Sequence, residues 1–64
     1  MEGRRRWVEL LAEIRAFQKR HDMPDSRFGR RALNDPHLIN DLRRGRELRA
    51  ATAARVRRFM AERA

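Results

Sequence analysis

The sequence predicts an all-α fold, a compact four-helix domain, on three observations. Apolar residues recur at helical spacing in successive stretches of chain, Pro24, Pro36 and Gly45 punctuate the junctions, and no useful length alternates apolar with polar residues as a strand does. With 64 residues the chain makes one domain, 1–64, and a domain that small buries only about 60% of the surface its unfolded form exposes. The sixteen large apolar side chains between Trp7 and Met60 therefore form a thin core with no large pocket.

The first helix is expected at about 4–20, where Trp7, Leu10, Leu11, Ile14 and Phe17 fall on one face. Arg6, Glu9, Glu13, Arg15 and Lys19 make the opposite face a solvated one. Pro24 disfavours helical geometry at Met23, so the helix stops within His21-Asp22-Met23-Pro24. Asp25 or Ser26 then caps a second helix at about 26–33, with Phe28, Ala32 and Leu33 inward. In Asn34-Asp35-Pro36, Asp35 suits a cap and Pro36 a first helical position, which starts a third helix running over about 36–44 to Gly45. Leu48 anchors the linker that follows. Thr52 caps a fourth helix at about 53–63, whose apolar stripe is Val56, Phe59 and Met60.

Seventeen Lys and Arg against nine Asp and Glu give a formal charge of +8, which makes a polyanion, nucleic acid above all, the expected partner. The excess is uneven: residues 1–25 carry a net +1 and residues 26–64 a net +7. Sixteen of the seventeen cations are arginine, a bias that suits bidentate phosphate and guanine contacts and that a GC-rich genome also produces. Without cysteine there is neither a disulfide nor a thiolate metal site. No apolar run approaches the ~18 residues of a membrane span, and none long enough for a signal peptide follows the basic start, so the expected location is a bacterial or phage-infected cytoplasm.

A helix that reads DNA buries one stripe and leaves the other free to enter a major groove about 12 Å wide. The third helix divides that way, with Leu38, Ile39 and Leu42 on one side and His37, Asn40, Asp41 and Arg44 on the other. Asn pairs with an adenine edge, Arg or His donates to guanine, and Asp accepts from cytosine N4. The plainer reading is that every short amphipathic helix has a polar face. Around it Arg27, Arg30, Arg31, Arg43, Arg46 and Arg49, with Ser26 and Asn34, form the candidate phosphate-binding set. Unpaired N–H groups at the starts of the second and fourth helices add donors for a phosphate.

The segment from Ser26 to Gly45 resembles the helix-turn-helix of the lambda-repressor and Cro-like family. Phe28-Gly29 stands where that family opens its second helix with an apolar residue and a small one, Ile39 matches the buried aliphatic of the recognition helix, and Gly45 matches the closing glycine. The likeness spans roughly residues 25–60. Two positions depart from it: Leu33-Asn34 replaces the usual turn glycine, and Gly29 stands where alanine is usual. The resemblance implies base reading by His37, Asn40, Asp41 and Arg44, a role in transcription regulation, repression more often than activation, and a phage-like setting.

The expectation is a homodimer on a two-fold symmetric site, with half-sites about 34 Å apart. Dimers that form only on DNA meet the same geometry. Val56, Phe59 and Met60 are candidate dimer contacts, or they close the core on the first helix. A nonspecific nucleoid or RNA-binding protein explains the charge but not the polar set on the third helix, and a protein-interaction adaptor would dock the basic last helix on an acidic surface or membrane. Trp7 packs in the core or stacks on a base, and Arg4-Arg5-Arg6 is a frayed helix end or a basic arm. His37 and Asp41 lie one turn apart, too few to ligate a metal. With Ser26 the only serine, no nucleophile, base and acid combination can be drawn, so neither an enzyme nor a cofactor or small-molecule effector is expected.

Overall fold

The first twenty helical residues contain no proline, and their apolar positions repeat every third or fourth residue, so one face can be covered while the rest stays in water. In the computed structural model, which describes residues 2–63 with side chains from residue 8 onward, they form α1 (Glu2–His21). Leu10, Ile14, Phe17 and Gln18 are buried along it. The helix backbone includes Arg4, Arg5, Arg6 and Trp7, whose side chains lie outside the described residues. Asp22 adopts a left-handed conformation (φ 51°), and the Met23 N–H donates to the Gln18 carbonyl at 2.9 Å, ending the helix at the expected place.

Helix α2 (Asp25–Leu33) begins one residue earlier than the sequence predicts and uses neither Asp25 nor Ser26 as a side-chain cap. The extended Pro24 precedes it, and the Asp25 carboxylate is taken elsewhere: it accepts the Gln18 amide at 2.7 Å and faces Arg43 at 3.4 Å. Phe28, Gly29 and Ala32 are buried. Asn34 closes the helix at φ 56°, its N–H donating to the Arg30 carbonyl at 2.8 Å. Asparagine tolerates that left-handed conformation.

Helix α3 (Leu38–Arg43) has six residues and starts two later than expected from Pro36. The physical reason is that Asp35 caps a turn instead of the helix. Its carboxylate accepts the His37 N–H at 3.0 Å and its carbonyl the Leu38 N–H at 3.2 Å, which leaves Pro36 and His37 in the turn. At the other end Gly45, at φ 104°, sits in the left-handed region. Its N–H donates to the Leu42 carbonyl at 3.1 Å, and the Arg46 N–H donates to the Asp41 carbonyl at 2.9 Å, the paired bonds of a Schellman stop. Helix α4 (Ala50–Glu62) starts three residues before the predicted position, because Ala50 and Ala51 are strong helix formers; Thr52 lies inside the first turn and does not cap it.

Together these helices make an all-helical domain with no strand among the described residues. Its radius of gyration is 10.8 Å, against about 10.7 Å for a packed chain of this length. α2 packs on α3 and α4, and α3 also packs on α1. Leu10, Ile14, Phe28, Leu38, Ile39 and Val56 are fully buried, each burial worth roughly 1.5–3 kcal/mol. Phe17, Phe28 and Phe59 form an aromatic triangle from three helices, with ring centroids 5.5–5.7 Å apart and two of the pairs edge to face. Leu48 is buried and pins the linker as expected.

The three candidate dimer contacts are therefore corrected to core positions. Val56 is 0% and Met60 9% exposed, and Phe59 packs on Phe17 and Phe28, because the stripe they form is the face that closes α4 over α1 and α2. No described helix is long and apolar enough to cross a membrane.

Candidate nucleic-acid interface

The site is organised by what α3 must bury. Leu38, Ile39 and Leu42 are at most 4% exposed, so the helix is held by one side and its remaining side chains point away from the core. His37, Asn40 and Arg44 are exposed and Asp41 is partly so. These are the four residues that the sequence groups as a reading face. Arg43 is exposed beside them, but its guanidinium faces the Asp25 carboxylate at the start of α2.

How closely α3 approaches α2 is set by Gly29. The Asp35 N–H donates to the Gly29 carbonyl at 3.0 Å, and a methyl group at Gly29 would stand well inside van der Waals contact with the Asp35 carbonyl oxygen and 3.1 Å from the Leu38 Cβ. A glycine here thus lets the turn fold directly onto the helix.

The predicted phosphate set divides into two. Ser26, Arg27, Arg30 and Arg31 are exposed on α2, where they line a shallow cleft with Pro24; Arg49 is exposed just before α4. Arg27, Arg30, Arg31, Arg44 and Arg49 have no carboxylate partner among the described residues. Asn34 is exposed at the turn, although its backbone conformation already gives it a structural role. Arg46 is different. Its Nη1 donates to Asp35 at 2.7 Å and to Asp41 at 3.3 Å, so one guanidinium joins the turn before α3 to the helix itself. The hydrogen bond from Arg46, then that from the His37 N–H, hold the Asp35 carboxyl below the usual carboxylate range, and the bond to Asp35 raises Arg46 in turn.

Sequence reasoning missed three parts of this arrangement. The Asp35–Arg46–Asp41 cluster has no local signature, because its partners are eleven and five residues apart across a turn. Gly29 signalled a small residue without saying what presses on it. Gln18 was missed although a signal existed: it follows Ile14 and Phe17 on the apolar face, and it braces the α1–α2 junction by donating to the Met23 carbonyl at 3.1 Å and to Asp25. Arg57 of α4 pairs with Glu13 of α1 at 3.3 Å, and Arg63 lies 4.9 Å from the centre of the Phe59 ring, so two further arginines have partners within the protein.

Chemically, the exposed surface offers hydrogen-bond donors and acceptors on a short, firmly seated helix, with exposed guanidinium groups on α2 and just before α4. Such a surface suits an anionic, edge-patterned ligand. The chain matches no protein-family model, no curated protein and no solved structure.

Proposed function

We propose that the chain is a sequence-specific double-stranded DNA-binding regulator, in which α2, the Asn34–His37 turn and α3 act as a helix-turn-helix and α3 enters the major groove. The observation that carries this reading is the division of α3, with Leu38, Ile39 and Leu42 buried and His37, Asn40 and Arg44 exposed, while the exposed arginines of α2 and Arg49 have no carboxylate partner among the described residues. The buried stripe fixes the angle at which the exposed one is presented, which a purely charge-driven binder has no need of.

Two further features support it. The net charge of +8, concentrated after residue 25, supplies the sequence-independent attraction on which specific contacts build. Residues 26–45 resemble the lambda-repressor and Cro-like motif, and at the turn, where Leu33-Asn34 departs from the usual glycine, Asn34 is left-handed, a conformation asparagine tolerates. On this reading the protein represses transcription, one protomer to each half-site of a two-fold symmetric operator. With Val56, Phe59 and Met60 in the core, protomers meet through some other surface or are brought together by the DNA.

Titrations against a bound sequence and its single base-pair variants, repeated over a salt series, test the proposal. Asn40→Ala or Arg44→Ala loses about 1–3 kcal/mol of discrimination at particular base pairs. Arg49→Ala weakens binding to every sequence alike and lowers the salt slope by about 0.9. If all three variants weakened every sequence equally, α3 would not be the reading element.

A further inference from the structure

Arg46 occupies a position from which it could serve either the DNA or the protein, and its contacts favour the protein. Its backbone N–H closes the stop of α3 on the Asp41 carbonyl at 2.9 Å, while its guanidinium reaches forward to Asp35 at 2.7 Å and back to Asp41 at 3.3 Å. Asp35 is itself fixed by three bonds: its carboxylate accepts from the His37 N–H, its carbonyl accepts from the Leu38 N–H, and its N–H donates to the Gly29 carbonyl. One cation thus ties the turn before α3 to the middle of α3, and Asp35 carries the connection on to the Gly29 carbonyl of α2.

The charges decide what this cluster can meet. Two carboxylates around one guanidinium leave a net negative group, which repels a phosphate instead of binding it. Asp41, the only carboxylate on the reading face and the type of side chain that pairs with cytosine N4, has its Oδ2 engaged by Arg46 at 3.3 Å. His37, Asn40 and Arg44 remain, residues whose pairings are with guanine O6 and N7 and adenine N7 and N6.

We propose that Asp35, Arg46 and Asp41 form a positioning clamp for α3 that withdraws Arg46 from the phosphates and Asp41 from the bases, so that the preferred half-site presents purine edges to His37, Asn40 and Arg44. The inference rests on the helix-turn-helix reading and sharpens it: Arg46 and Asp41 leave the contact set and become residues that act through α3.

The test uses Arg46→Gln, Asp41→Asn and, as a phosphate-contact reference, Arg49→Gln, each titrated over a salt series against a selected half-site and its base-pair variants. Arg46→Gln keeps the wild-type salt slope and strengthens binding to variants that offer a cytosine amino group, because Asp41 is released. Arg49→Gln lowers the slope by about 0.9. Asp41→Asn leaves the base preference as it was. A drop in slope for Arg46→Gln equal to that of Arg49→Gln, or a base preference lost with Asp41→Asn, overturns the proposal.

Thermal and denaturant unfolding of Asp35→Asn, Arg46→Gln and the double variant separates the clamp from the reading on which it rests. Non-additive losses, with a coupling of roughly 1.4- to 5-fold in the unfolding constant, support the clamp, and additive losses overturn it. Should the wild-type protein show no preference among sequences, the helix-turn-helix reading and the purine preference fail together, and the unfolding cycle still decides the clamp.

Discussion

Replacing Gly29 by alanine isolates the contact on which the seating of α3 depends. The added methyl meets the Asp35 carbonyl oxygen, a backbone atom held in place by the 3.0 Å bond from the Asp35 N–H to Gly29 and by the bond from the Leu38 N–H, so relief requires the whole turn to move. Overpacking of this kind costs about 1–3 kcal/mol, and a backbone obstacle puts it at the upper end, near 3. Against that, alanine in place of glycine inside a helix contributes about 1 kcal/mol. The net loss is about 2 kcal/mol, which in a domain of this size lowers Tm by about 8–16 °C. Far-UV circular dichroism melts measure it, with Arg30→Gly and Arg30→Ala, at the exposed neighbour in the same helix, calibrating the propensity term. If Gly29→Ala raised Tm by the difference between the Arg30 pair, the close approach of the turn to α2 would be refuted.

Two other perturbations bear on the ends of α3. Gly45→Ala meets open space but a φ of 104°, so strain alone should cost about 1–2 kcal/mol in denaturant unfolding, and a neutral outcome would mean that the stop is not left-handed. Asp35 has its pKa lowered by the bond from Arg46, so it stabilises the fold when ionised. That contribution is present above about pH 4 and is lost as the pH falls through the depressed value; Asp35→Asn should flatten this part of an acid unfolding profile, and an unchanged profile would contradict the pairing.

The parts of the structure legible in the sequence are those written in local chemistry. The order of four helices follows from apolar spacing, the α1 stop from Pro24, the left-handed residues at Asn34 and Gly45 from their identities, and the anchor at Leu48 from its isolation in a polar linker. What was not legible depends on distant partners. Asp25 and Asp35 look like caps, but Gln18 and Arg43 engage the first, and the second is shared between the His37 N–H and Arg46. The helix starts shift accordingly.

For the candidate site, the face carrying His37, Asn40 and Arg44 follows from the buried stripe opposite, and the structure exposes it as the sequence implies. The stripe Val56, Phe59 and Met60 could not be assigned in the same way. An apolar stripe states that something covers it and not what; here Phe17 and Phe28 do. Nor does a sequence show which arginines face a carboxylate of the same chain, as Arg43 and Arg46 do.

The central claim is that α3 reads bases. Selection of bound fragments from a random double-stranded DNA pool at about 0.15 M salt, where nonspecific phosphate binding is suppressed, tests it most directly. Base reading by α3 in a dimer predicts recovery of a short palindrome with half-sites about one helical turn apart. Retention of the pool without any enriched motif would contradict it and leave a charge-driven nucleoid or RNA-binding protein.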